Sequence, residues 1–364
     1  MAKKSATKVI IWFIQVALFC AGTASHAATN ESTLRTASSS RQSKTFSYQP
    51  FVNNLDSKNL PLVRVKINNG FSATFLLDTG ANLSIITDNV VNKLKLKSHS
   101  VTLQGKTYQF EGKPMNAVTL DNINLGGFNF AKGMFLVLKE NRIALAGKPI
   151  DGIIGINILQ NLEYLFDFQQ HQITLFAPVR LIIPSDGSPQ KYVAEGLTPD
   201  EIKALGFADA KTTPIINSEK DGRKYIHVQC SNSGKSGAED LLLDTGAATT
   251  IISPALANQL GLKPISENVE SSGFPGIEYI STAPMEKFQL GDLLLRDLLV
   301  DYSSQSAYDK NLPSALGVNV LSKYRVLMDF PGQKLYLKSL PTAVPLTITV
   351  NPTRQVLPAG PTPK

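Results

Sequence analysis

The chain has 364 residues, 43% of them apolar and 18% charged, a length that holds two domains of ordinary size and a balance that excludes a disordered protein. Its formal net charge is +7, but three of the lysines lie within residues 1–27, and without that stretch 33 basic residues face 29 acidic ones. Such an excess is too mild and too dispersed to argue for a nucleic-acid partner, and none is expected.

Lys3, Lys4 and Lys8 precede an apolar run from Val9 to Cys20, and Ser25-His26-Ala27 places small residues where a signal peptidase reads. Residues 1–27 are therefore expected to be a signal peptide, and the protein to be exported to a periplasmic or extracellular space with no membrane attachment after cleavage. An uncleaved anchor is the alternative, although the run is short and interrupted by Gln15. Phe19 is too bulky for a lipid-attachment motif at Cys20. Cleavage leaves Cys230 alone, so no internal disulfide forms. Alternation in Tyr225-Ile226-His227-Val228-Gln229-Cys230 puts Cys230 on the face of Ile226 and Val228, as a buried small hydrophobe.

Residues 28–50, rich in Ser, Thr and Ala, read as a flexible leader. From 51 to 180 short apolar or alternating runs predict strands at Leu62 to Ile67, Ala73 to Leu77, Leu120 to Leu125, Met134 to Leu138, Ile153 to Ile156 and Ile173 to Phe176. The pattern breaks over a linker, 181–215, where Thr198-Pro199-Asp200-Glu201 predicts a capped helix stopping at Gly206. Strands resume over 216–340, at Tyr225 to Cys230, Asp240 to Leu243, Lys287 to Leu290, Leu298 to Val300 and Lys334 to Leu337. Residues 341–364 form a Pro-rich tail.

The two strand-rich regions repeat one another. Leu76-Leu77-Asp78-Thr79-Gly80-Ala81 recurs as Leu242-Leu243-Asp244-Thr245-Gly246-Ala247, 166 residues on. In the same order, Leu125-Gly126 answers to Leu290-Gly291, and Gly155-Ile156-Asn157-Ile158-Leu159 to Gly317-Val318-Asn319-Val320-Leu321. Leu165-Phe166-Asp167-Phe168 matches Leu327-Met328-Asp329-Phe330, and Ile173-Thr174-Leu175 matches Leu335-Tyr336-Leu337. The chain is a duplicated domain.

In the repeated hexapeptide an apolar strand delivers a carboxylate into a turn, Thr supplies a hydroxyl able to bond a neighbouring backbone, and Gly permits a bend that a side chain would obstruct. A pseudo-two-fold axis between the lobes is expected to bring Asp78 and Asp244 face to face. Two carboxylates in contact share a proton, so one takes a proton from water while the other hydrogen-bonds the carbonyl under attack.

These hexapeptides, with the later elements Ile153-Ile154-Gly155 and Ala315-Leu316-Gly317, resemble the retropepsin-like aspartic peptidases. The resemblance implies an all-β fold of two tandem acid-protease β-barrel lobes related by a pseudo-two-fold axis. It implies Asp78 and Asp244 as the catalytic pair, Thr79 and Thr245 bonding across the interface, Gly80 and Gly246 shaping the loops, and the apolar-apolar-Gly elements packing beneath. It also implies an endopeptidase acting on polypeptide, without cofactor or metal, and with the compact signal it suggests a bacterial, exported enzyme.

Two departures stand out. Retropepsins usually build the site from two chains, whereas this chain carries both halves and is expected to act as a monomer; assembly between chains is the alternative. The family closes its cleft with a Gly-rich flap, for which Gly273, Phe274 and Gly276 are the second-lobe candidates, and Gln104 to Gly112 is a poorer first-lobe match. Ala81 and Ala247 stand where pepsin-like enzymes commonly carry a hydroxyl that stabilises the ionised carboxylate, so activity is expected nearer neutral pH. A non-catalytic module holding an extended peptide by strand addition is the competing reading.

Other signals carry less. Asp167 and Asp329 precede hairpin-like segments and read as structural. Ser233-Gly234-Lys235-Ser236 lacks the first Gly of a phosphate-binding loop, Gln229 standing there. His99, His171 and His227 have no partner at metal-ligand spacing, and no Gly-x-Ser-x-Gly motif is present.

Overall fold

The computed structural model describes residues 41–53, 56–68, 70–103, 106–107, 109–110, 113–139, 144–145, 148–177, 179–183, 191–219, 222–272, 277–303 and 314–340, with strand pieces at Lys8–Val9 and Arg35–Ala37. Apart from Lys8–Val9, the expected signal peptide lies outside the described residues, as does the tail. Among the described residues no helix is long and apolar enough to cross a membrane.

In the first lobe, Asp56–Ile67 runs antiparallel to Phe71–Leu77, with Leu62 opposite Leu76. Strict alternation of buried Val63, Val65 and Ile67 with exposed Arg64 and Lys66 fixes which face meets the core. The strand Phe71–Leu77 differs: its last three residues are all buried, because beyond Thr74 it dives between neighbours instead of lying on a solvated surface. It pairs in parallel with Gly152–Ile154, which in turn pairs antiparallel with Ser84–Thr87. The second lobe repeats the arrangement. Lys235–Leu243 pairs in parallel with Ala315–Leu316, and Ile251 bridges Ala315. The fold is all-β, two tandem lobes of one arrangement, as the repeat and the resemblance implied.

A six-stranded sheet joins the lobes. Its order is Lys211–Pro214, Lys334–Ser339, Tyr324–Asp329, Glu163–Asp167, Gln172–Ala177 and Gln42–Ser47. The two central strands are antiparallel with Leu165 opposite Leu327, and these leucines are equivalent in the repeat. The pseudo-two-fold axis therefore passes between them.

Several local expectations are corrected. Within the expected flexible leader, Gln42–Ser47 is an edge strand of the joining sheet. It has no apolar period because it is held by backbone pairing, and its side chains are mostly exposed. The strand Lys211–Pro214, which fell in the linker, is its counterpart on the opposite edge. The run Leu120 to Leu125 is two strands, Asn116–Leu120 and Ile123–Leu125, folded at Asp121 and Asn122. The run Ile153 to Ile156 stops at Ile154, where Gly155 opens the short helix Ile156–Leu159.

The expected linker helix spans Pro199–Ala204, with the reciprocal Thr198 and Glu201 capping bonds. Two further helices, Asp88–Lys93 and Pro254–Leu260, begin at Thr87 and Ser253 caps. The second ends at Gly261 in the left-handed region.

Candidate active site

Each Asp-Thr-Gly loop rests on the apolar-apolar-Gly element of its own lobe. Asp78 N–H donates to Ile154 O at 3.0 Å, and Ile156 N–H donates to Ala81 O at 2.7 Å. In the second lobe Asp244 N–H donates to Leu316 O at 3.2 Å, and Val318 N–H to Ala247 O at 2.8 Å. The glycines are required by this approach: a Cβ on Gly155 would lie 2.7 Å from Ala81 O, and one on Gly317 would overlap Thr249 O. Each buried loop thereby satisfies backbone groups that water cannot reach.

The threonines join the two loops. Thr79 Oγ1 donates to Leu243 O at 2.7 Å and accepts from Thr245 N–H at 3.1 Å. Thr245 Oγ1 donates to Leu77 O at 2.7 Å and accepts from Thr79 N–H at 3.1 Å. Both threonines are fully buried. The bond across the interface expected of this residue is thus made twice, in mirror fashion.

The carboxyl groups are held alike. Asp78 Oδ1 accepts from Gly80 N–H at 2.9 Å and Ala81 N–H at 3.0 Å. Asp244 Oδ1 accepts from Gly246 N–H at 2.8 Å and Ala247 N–H at 2.9 Å. Both aspartates have no exposed surface, and neither Oδ2 finds an N–H or O–H donor. The two carboxyls instead interact with each other. Asp78 lies against Gly246, where a Cβ would come 2.5 Å from the carboxyl carbon. Gly246 is therefore needed for close approach of the opposing acid; it does not adopt a left-handed backbone.

Burial is the first cause of the electrostatics here. It pushes Asp78 up to about 7, against the opposing pull of the Ala81 and Gly80 N–H bonds and of the neighbouring Asp244. Asp244 is raised well above the ordinary carboxylate range, by burial and then by the charge of Asp78.

Sequence reasoning passed over a second symmetric set. Asn157 Oδ1 accepts from Ser84 N–H and Oγ, both at 2.8 Å, while Ser84 Oγ accepts from Gly155 N–H at 2.9 Å. Asn157 Nδ2 reaches Met134 O at 3.0 Å. In the other lobe Thr250 Oγ1 bonds Asn319 Oδ1 at 2.8 Å and accepts from Gly317 N–H at 3.2 Å, and Asn319 Nδ2 reaches Leu299 O at 3.3 Å. Each asparagine thus ties the strand after the Asp loop to the glycine beneath it. Its recurrence in Gly-x-Asn-x-Leu was the available signal.

The remaining candidates fall elsewhere. Gly273, Phe274 and Gly276 lie outside the described residues, between Ser266–Ser272 and Ile277–Leu290, which run antiparallel with Ser272 opposite Ile277. Within Gln104 to Gly112 only the strand pieces Lys106–Thr107 and Gln109–Phe110 are described. Asp167 Oδ1 accepts from Gln170 N–H, and Asp329 Oδ1 from Gly332 N–H, so both shape turns. Cys230 is buried with Ile226 and Val228, and burial pushes its thiol up to about 12. Among the described residues no three His, Cys, Asp or Glu side chains cluster as a metal site.

Residues 63–158 match the aspartyl protease family model, and residues 229–323 match the gag-polyprotein aspartyl protease model. No curated protein sequence matches the chain. Among solved structures it is similar to an aspartic proteinase from Irpex lacteus, at 13% identity over 84% of this chain and 99% of that one, with a TM-score of 0.45. It is also similar to conglutin gamma, a basic 7S globulin from lupine seeds, at 12% identity over 82% and 95%, with a TM-score of 0.44.

The matched stretches fall one in each lobe. The chain carries two aspartyl protease domains in tandem, each matched by its own family model, consistent with the retropepsin-like two-lobe form.

Proposed function

We propose that this protein is an exported endopeptidase that hydrolyses peptide bonds with water activated between Asp78 and Asp244, both supplied by one chain. The observation that carries this reading is the reciprocal Thr79 and Thr245 bonding, which sets two buried carboxyls against each other with their outer oxygens free of other donors.

In the working state the pair holds one proton. The ionised member takes a proton from a water as its oxygen attacks the scissile carbonyl, and the protonated member donates to the developing oxyanion. Collapse of the tetrahedral intermediate breaks the C–N bond, with a proton passing from the pair to the leaving amine. The Gly80, Ala81, Gly246 and Ala247 N–H groups keep both carboxyls oriented and support the charge that remains on the pair.

The test is incubation with an unfolded polypeptide, with and without a statine-type transition-state mimic, followed by identification of new termini. Internal cleavage suppressed by the mimic is expected. Binding of the polypeptide without new termini would instead make the protein a peptide-holding module.

A further inference from the structure

The joining sheet is symmetric in backbone but not in charge. Along its central ladder Asp167 lies opposite Arg325, and Glu163 opposite Asp329. These are equivalent ends: repeat equivalence makes Glu163 the counterpart of Arg325 and Asp329 the counterpart of Asp167. At one end the acid meets its own cation, Arg325 Nε lying 3.5 Å from Asp167 Oδ2. At the other, two carboxyls that are both buried face each other across the ladder. Like charges directly opposite, away from water, destabilise a sheet unless a cation is brought in.

That cation is Arg41, the residue preceding the edge strand Gln42–Ser47. Its Nη1 donates to Glu163 Oε1 at 2.5 Å, its Nε to Glu201 Oε1 at 2.7 Å, and its Nη2 to Glu201 Oε2 at 3.3 Å and Gly196 O at 3.1 Å. Glu201 belongs to the linker helix, whose start it also caps. The same linker is tied to the second lobe by Leu197 N–H, which donates to Asp329 Oδ2 at 2.9 Å, and Gly196 packs against Gly332 too closely to admit a Cβ. The leader, the linker and the Glu163 strand of the first lobe therefore meet at one guanidinium, whose planar fork suits two carboxylates at once, and the linker carries the connection on to Asp329 of the second lobe. Burial raises the Glu163 carboxyl and Arg41 pulls it back down, so the guanidinium offsets part of the cost of holding that acid inside the sheet.

We propose that Arg41 is a positioning residue, the cation that the duplicated sheet lacks at Glu163, and that the chain from Arg41 onward is a permanent part of the enzyme. Maturation that preserves function then cuts before Arg41, and the segment 41–47 is not a removable inhibitory propeptide. This inference rests on the endopeptidase reading for its activity readout only.

The experiment uses the full exported chain and measures kcat per folded molecule, counted by titration with the statine-type mimic, well below the thermal midpoint. Arg41→Ala is expected to lower kcat by about tenfold or more, through small misplacement of the two lobes, and to lower the thermal midpoint. Arg41→Lys retains part of the activity, and Arg41→Ala combined with Glu163→Gln recovers most of both losses. The amino terminus of the natural active protein, read by mass spectrometry, lies before Arg41.

An unchanged kcat per folded molecule in Arg41→Ala would reduce Arg41 to a stabilising role and overturn the positioning claim. A fully active natural form beginning after Ser47 would overturn it as well. Should the wild-type chain cleave nothing, the endopeptidase reading fails by itself. The role of Arg41 as the missing cation is then judged on the midpoint, where no drop in Arg41→Ala, or no recovery with Glu163→Gln, would refute it.

Discussion

Thr79 and Thr245 each donate a hydroxyl to the strand end of the opposite lobe and accept the other's backbone N–H, so four buried hydrogen bonds cross between two loops with no charge at the junction. The two aspartates are placed by their neighbours in sequence, and the neighbours are placed by each other. Disturbing either threonine acts on both carboxyls.

Replacing Thr79 or Thr245 by Val keeps the shape and orphans a carbonyl and an N–H, each at about 1–3 kcal/mol. A large fall in thermal midpoint and loss of cleavage are expected, while Thr→Ser at either position keeps both. Unfolding curves and kinetics on the four variants check this; a Val variant as active and stable as its Ser partner would show the junction to be dispensable.

Gly246→Ala places a methyl against the Asp78 carboxyl. Cleavage should fall by roughly 100-fold or more, since displacements near 1 Å at reacting groups cost that much. A crystal structure of the variant should show Asp78 moved away from Asp244.

The acid-base behaviour has a definite sign. Asp78 is lifted by burial from the ordinary carboxylate range to about 7, and Asp244 is lifted well above that range. The folded protein thus binds these protons more tightly than the unfolded chain. The stability this lends is fully present below the unfolded carboxylate range and is lost as pH rises toward 7 and beyond. Activity needs one member ionised, so its acid limb should lie near neutrality. A pH–rate profile and melts of the wild type against Asp78→Asn/Asp244→Asn measure both; a peak confined to strong acid, or identical pH dependence of stability in the double variant, would contradict the assignment.

Asn157→Ala and Asn319→Ala each release the strand after an Asp loop from the glycine beneath it. A loss of about 1–3 kcal/mol per variant is expected from the orphaned partners, with kcat reduced and KM little changed. Asn157→Ala should also raise hydrogen exchange at Ser84 and Gly155, whose N–H groups it leaves without a partner or with a freed one.

The repeat was legible because it is written in residues that cannot vary without local cost: the Asp-Thr-Gly turn, the glycine under it and the buried ladder leucines. The linker helix was legible from Thr198 and Glu201, which make the capping bonds their spacing suggests. Gln42–Ser47 was not, because an edge strand held through its backbone leaves no apolar period. The helices Asp88–Lys93 and Pro254–Leu260 carried their stop and start residues, Thr87, Ser253 and Gly261, yet each is too short to show a helical period. Arg41 had no local signal at all: its partners lie 122, 155 and 160 residues away.

The central claim is that one chain supplies both halves of one site. Cleavage of an unfolded polypeptide by folded Asp78→Asn, by folded Asp244→Asn and by their equimolar mixture measures it directly. All three should be inactive at every protein concentration. Activity restored in the mixture, or retained in either variant alone, would contradict it.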